Sequence, residues 1–135
     1  MYISETSIRV RYGETDQMGY VYYGHYAMYY EVARVESLRQ LGLTYRAIEE
    51  MGVMMPVLEN RSKYLAPARY DDLLRIVTTL REKPGVKIKF EYEIFNDQNT
   101  LIHRGETVLV FINKFTNRPC RQPAAMEKAL ERFFG

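Results

Sequence analysis

R-Y-G-E-T-D-Q-M-G-Y-V-Y-Y-G-H-Y-A-M-Y-Y-E-V-A-R-V-E-S-L-R-Q-L, residues 11–41, is the stretch whose reading decides the fold. It runs from a strand end through a glycine-rich turn holding one acid into a helix. Between Tyr26 and Leu41 ten of sixteen positions are apolar: Tyr26, Ala27, Met28, Tyr29, Tyr30, Val32, Ala33, Val35, Leu38 and Leu41. At 100° per residue they cover most of the circumference, and a helix apolar nearly all round is expected to be buried nearly all round. In a chain this small only one helix can be enclosed in that way, and a sheet is the natural wrapper. Directly before the helix stands Asp16, flanked by Gly13 and Gly19. An acid at the mouth of a buried helix is where chemistry is expected.

Outward from that stretch the pattern changes. Ile8, Val10 and Tyr12 alternate with Arg9 and Arg11, a strand with one covered face. Gly42 is placed to end the helix, and Thr44 to cap a second one over Tyr45–Met51 that stops at Gly52. Met54 to Leu65 reads as extended, with Pro56 near its start, until Ala66-Pro67-Ala68 breaks it. Leu73 to Lys83 follows, then the turn Lys83-Pro84-Gly85. The clearest strand is Val86–Ile94, with Val86, Ile88, Phe90, Tyr92 and Ile94 on one side and Lys87, Lys89, Glu91 and Glu93 on the other. Asn96 to Asn99 is a hairpin loop, and Leu101 to Asn113 returns as one long strand. The tail, Ala124 to Phe134, reads as an amphipathic helix. The order β–turn–α–β–β–β–β with short late hairpins predicts an α+β fold: a curved antiparallel sheet wrapped around one long helix.

Composition narrows the function classes. The 135 residues suit one domain, 1–135, and 27% charged with 47% hydrophobic residues is ordinary for a globular protein. No run approaches the roughly eighteen apolar residues of a membrane span, and the start, MYISETSIRVRY, lacks the pattern of a secretory signal. Cys120 is the only cysteine, so no internal disulfide forms and a reducing cytoplasm is expected. The net charge of +2 does not point to nucleic acid. Five Lys/Arg stand against seven Asp/Glu in residues 1–50, and eight against five in residues 81–121. The second half could therefore meet an anion, although a solvated face explains the same residues. No metal-ligand spacing, phosphate-binding glycine loop or nucleophile elbow is present.

The run from Arg11 to Tyr26, followed by Tyr30-Glu31 and Arg34, resembles the 4-hydroxybenzoyl-CoA thioesterase-like acyl-CoA thioesterases of the hotdog fold. Pro67-Ala68-Arg69-Tyr70-Asp71-Asp72 and Gly105-Glu106-Thr107-Val108-Leu109-Val110 continue the resemblance in the expected order. It implies an acyl-CoA thioester hydrolase whose subunits pair edge to edge as homodimers or homotetramers, with active sites at the interface. Asp16 matches the family's catalytic aspartate, and Tyr23 the Tyr or His at the helix start, where backbone amides would face the thioester carbonyl. His25 stands where Asn is usual.

The residues themselves fit that chemistry. A thioester needs an attacking oxygen and a place for developing negative charge; a carboxylate can attack or deprotonate water. Helix-start amides near Tyr23 and Gly24 can hold an oxyanion, since they are otherwise unpaired, and Gly24 would let a ligand approach the backbone. Asp16 could instead only shape its turn. His25 is either a structural histidine or a group orienting the site, and His103 is assigned to structure. Glu31 and Arg34 are expected to pair along the helix, Glu31 being a second candidate for a reacting carboxylate. Lys87, Lys89, Arg118 and Arg121 are candidates for the phosphates of CoA, which is part of the substrate; no separate cofactor is expected. The rivals are a hotdog hydratase or dehydratase, which would need His25, and a non-catalytic module binding acyl-CoA or acyl-carrier protein.

Overall fold

The computed structural model describes residues 1–135. Five strands, β1 (Tyr2–Arg9), β3 (Val57–Tyr64), β4 (Leu73–Leu80), β5 (Lys87–Phe95) and β6 (Leu101–Val110), form one antiparallel sheet in the order β1-β4-β5-β6-β3. Short strands β2 (Val53–Met54), β7 (Ile112–Asn113) and β8 (Arg118–Pro119) make a second, smaller sheet. The helices are α1 (Tyr26–Arg39), α2 (Tyr45–Glu50) and α3 (Ala124–Phe134). The expected α+β arrangement is present, with α1 laid against the large sheet.

Alternation in β5 decides which face of the sheet is inside. Ile88, Phe90, Tyr92 and Ile94 are buried, while Lys87, Lys89 and Glu93 are exposed. Burying each such large side chain contributes about 1.5–3 kcal/mol. Tyr30 of α1 lies flat on Tyr92, 4.3 Å between ring centroids, and Tyr26 lies flat on His103 of β6 at 4.0 Å. These stacked rings fix the helix against the middle of the sheet. Thr44 caps α2 as expected, its hydroxyl accepting from the Ala47 amide at 3.0 Å.

Several expectations are corrected. Helix α1 is not enclosed all round within one chain: Tyr26, Tyr29, Tyr30, Ala33 and Leu38 are buried, but Ala27, Met28 and Val32 are exposed. Its inner stripe instead includes the polar Arg34 and Ser37. Arg34 does not pair with Glu31, which is exposed; it turns into the core. The extended run 54–65 is two strands in two sheets, separated at Met55-Pro56. The long strand 101–113 likewise divides at Phe111: its amide still bonds the Val86 carbonyl in the β5 register, but its carbonyl accepts from Cys120, and Ile112–Asn113 pair with β2 and β8. Finally, β3 and β4 do not form a hairpin. The segment 65–72 crosses from one side of the sheet to the other, because β4 pairs with β1 and β3 with β6.

The two sheet edges differ. Beside β1 lies α3, with Phe133 4.8 Å from the Tyr2 ring and its carbonyl accepting from the Met1 amino group at 2.7 Å. All eight residues of β3 are exposed.

Candidate active site

Asp16 is held by its own turn. Its Oδ1 accepts from the amides of Met18 (2.9 Å) and Tyr20 (3.2 Å), and its backbone amide donates to the Tyr20 carbonyl at 2.7 Å. Gly19, at φ +82°, supplies the left-handed step that closes the turn. The turn is in turn fastened to the crossing segment: Val21 donates to the Ala68 carbonyl at 2.8 Å, and the Arg69 guanidinium lies 5.0 Å from the centre of the Tyr20 ring. The second carboxylate oxygen, Oδ2, has no hydrogen bond within the chain. Both readings of Asp16 thus have a physical basis: one oxygen shapes the turn and the other remains available.

Beside it opens a cleft of about 350 Å³ lined mostly by apolar groups, among them Val21, Tyr23, Tyr26, Tyr64 and Pro67. The structure therefore brings Asp16 and Tyr23 to one place. The Tyr23 and Gly24 amides donate to no acceptor within the chain, whereas the His25 amide donates to the Tyr22 carbonyl at 2.9 Å. A low-polarity cleft strengthens any charge interaction made inside it.

Gly24 and His25 are not among the cleft-lining residues. A side chain at position 24 would meet the Tyr22 ring at 2.9 Å, so in this chain the glycine makes room for a tyrosine. His25 packs edge-on to Tyr22, and its Nδ1 is sealed from solvent without a partner.

The cationic candidates lie elsewhere. Lys87 opposes Val110 at the far end of β6, about 23 Å along the strand from His103 and Tyr64 at roughly 3.3 Å per residue. Lys89 pairs with Glu106 at 3.5 Å. Arg118 is on β8, and Arg121 directly precedes Gln122, whose amide bonds Gly85. They gather near the end of β6 remote from their own chain's Asp16.

Sequence reasoning missed the aromatic wall. Tyr64 carries no chemical motif, and only the pairing of β3 with β6, which sets Tyr64 opposite His103, brings it to the cleft beside Tyr26. Behind the wall, fully buried His103 stacks on Tyr26, meets Tyr64 edge-on at 5.0 Å, and shares a hydrogen bond with the Tyr30 hydroxyl. Burial pushes its pKa down to about 4, so it is a neutral ring. Burial pushes the Tyr26 phenol up to about 12.

The chain is 34% identical over 119 residues to the acyl-CoA thioester hydrolase YbgC of Escherichia coli O6:H1, covering 88% of this chain and 89% of that one. It is 32% identical over 119 residues to the putative acyl-CoA thioesterase YneP of Bacillus subtilis, covering 88% and 86%. Among solved structures, the DHNA-CoA thioesterase of Staphylococcus aureus superposes with a TM-score of 0.92 at 32% identity, over 98% of this chain and 91% of that one. With residues 10–130 matching the thioesterase-like superfamily, the chain belongs to that family and has its hotdog fold.

Proposed function

We propose that this protein hydrolyses an acyl-CoA thioester to the free acid and coenzyme A, with Asp16 as nucleophile or general base. The class of reaction accords with the family and with relatives named as acyl-CoA thioester hydrolases. The observation that carries the role of Asp16 is its divided carboxylate: Oδ1 is fixed by two amides while Oδ2 is unbonded beside an apolar cleft. Water attacks the carbonyl carbon as Asp16 takes its proton, or Asp16 attacks and water opens the resulting anhydride. The carbonyl oxygen gains charge against the Tyr23 amide, the unpaired helix-start amide whose residue lines the cleft. In either course the tetrahedral intermediate collapses with cleavage of the carbon–sulfur bond, and the CoA thiolate leaves to be protonated; in the second course this step forms the anhydride that water then opens. No step needs a cofactor. The reading puts the reaction in the cytosol, where the single, unpaired Cys120 would stay reduced.

The working unit in this reading is at least a homodimer, joined along β3. Eight exposed residues on an open edge invite strand pairing, and the uncovered Ala27, Met28 and Val32 offer apolar area beside it. An antiparallel pair centred on the strand sets Tyr64 against Val57 of the partner subunit. The partner's remote end of β6, with its Lys87, Arg118 and Arg121, then approaches the Asp16 cleft. That is how cations far from Asp16 in one chain could receive CoA phosphates in two.

A thiol-release assay over a panel of acyl-CoA and acyl-carrier-protein thioesters tests the function. Asp16→Asn preserves the oxygen that bonds Met18 and Tyr20, so folding and acyl-CoA affinity should persist while kcat falls on the order of 10²–10⁴-fold. A folded variant keeping more than about a tenth of kcat, under ~1.4 kcal/mol of barrier, would sink the mechanism. A dehydratase would instead lose its activity with His25→Ala, and a binding module would release no thiol.

A further inference from the structure

Glu14 does not line the Asp16 cleft, yet it ties together the two groups that hydrolysis needs there. Residues 14–16 and 20–22 run antiparallel as a short ladder. Tyr22 donates to the Glu14 carbonyl at 2.9 Å, Thr15 pairs with Val21, and Asp16 donates to the Tyr20 carbonyl at 2.7 Å. Asp16 therefore stands two residues after Glu14 on one arm, and the unpaired Tyr23 amide directly follows Tyr22 on the other. The separation of carboxylate and amide depends on how the two arms are held, on each other and on α1.

The Glu14 side chain makes the attachment to α1. One oxygen, Oε1, accepts both from the Arg11 amide at 2.8 Å and from the Tyr29 hydroxyl at 2.9 Å. Tyr29 belongs to the first turn of α1, is 2% exposed, and meets the ring of Tyr26 edge-on at 5.7 Å. Burial first, and then the Glu14 carboxylate, raise its phenol above the ordinary range, so the proton stays in place to be donated. A hydrogen bond to a carboxylate is stronger than one between neutral groups, and without Glu14 a buried hydroxyl would lose its partner. No other side-chain hydrogen bond joins residues 11–22 to α1.

We infer that Glu14 is a positioning residue for the hydrolysis: its carboxylate braces the ladder against the first turn of α1 and so holds Asp16 at working distance from a carbonyl seated at the Tyr23 amide. The inference rests on the hydrolase reading and adds to it a residue that touches no substrate. A misplacement of about 1 Å between reacting groups costs on the order of 10²-fold in rate, so the brace acts on kcat more than on binding.

The full chain is compared with Glu14→Ala, Glu14→Gln and Tyr29→Phe, and with Asp16→Asn as the reference for a lost carboxylate. Glu14→Ala should lower kcat about ten- to a hundredfold with KM changed less than about threefold. Tyr29→Phe keeps the ring and should lower kcat in the same sense. The double variant should be no worse than Glu14→Ala, because one bond is lost only once. Glu14→Gln, whose amide oxygen accepts from the same two donors, should restore kcat to within about threefold. Amide hydrogen exchange supplies a readout without turnover: the Asp16 and Tyr22 amides should exchange about tenfold faster in Glu14→Ala, while those of β5 are unchanged. Full kcat in Glu14→Ala beside a dead Asp16→Asn overturns the inference and spares the hydrolase reading. So does a rise in KM alone, a Glu14→Gln as impaired as Glu14→Ala, or exchange that quickens equally in β5. Should Glu14→Ala fail to fold, Tyr29→Phe decides, and full kcat there overturns the inference. If the natural protein hydrolyses no thioester, or Asp16→Asn stays active, the hydrolase reading fails, and exchange at Asp16 and Tyr22 alone decides whether Glu14 braces the turn.

Discussion

His103 has no solvent exposure, stacks on Tyr26 and bonds the Tyr30 hydroxyl, and its pKa lies at about 4 against an ordinary 6.5. The consequence for stability has a definite sign. Between those two pH values the unfolded chain binds a proton that the folded chain refuses. The contribution is therefore fully present above pH 6.5 and is lost as pH falls towards 4, by up to about 3 kcal/mol. Urea unfolding across that window should show the loss. His103→Gln, which keeps a polar partner for Tyr30, should flatten this part of the profile while acid loss at lower pH remains. An equally steep profile in the variant would assign the titration to other groups. The same residue shows why a histidine in sequence is ambiguous: neighbouring Arg104 suggests a surface, whereas the buried partners Tyr26 and Tyr30 lie far away along the chain.

Helix α1 and strand β6 meet through a glycine. The Tyr30 hydroxyl occupies the space where a side chain at Gly105 would begin, and from there it reaches both His103 and Ser62, the latter at 2.6 Å. Gly105→Ala would place a methyl inside the phenol. Tyr30 cannot move aside cheaply, because its ring is stacked on Tyr92 and its hydroxyl is shared by two groups. The substitution should destabilise by about 1–3 kcal/mol, read as a lower urea midpoint at unchanged slope. Since His103 backs Tyr26 and Tyr64, KM for acyl-CoA should rise as well. Unaltered stability would mean that the helix shifts freely on the sheet.

The proposed pairing along β3 makes predictions at the level of the assembly. Light scattering should report at least twice the 16.0 kDa chain mass. The shared site can be tested by mixing subunits of Asp16→Asn with subunits of Lys87→Ala/Lys89→Ala. If cations and carboxylate come from different chains, one site of each hybrid carries every lesion and the other carries none. Hybrids should then regain low KM and about half the kcat of the unmutated dimer, with the KM gain shrinking at high salt. If all these groups served their own chain's site, each hybrid site would keep one lesion and no low-KM activity would return.

Local patterns in the sequence determined a good deal. The alternation of Val86–Ile94 specified which face of β5 is buried, because side chains on a strand alternate strictly. Thr44 and Gly42 marked helix ends through local hydrogen bonding and backbone freedom, and Asp16 between glycines marked the candidate site. Tertiary structure decided what depended on distant partners. An apolar composition could not reveal that Met28 and Val32 face outward while Arg34 faces in, because burial depends on what the sheet covers. The breaks at Met55-Pro56 and Phe111 arose from pairing with strands of a second sheet, and the Tyr26–Tyr64 wall from the pairing of β3 with β6, which sets Tyr64 opposite His103. Spacing along the chain brought Asp16 and Tyr23 to one cleft, since both belong to one turn and helix start. It could not place the cations of residues 87–121, whose distance from Asp16 is governed by the length of β6 and by which edge of the sheet remains open.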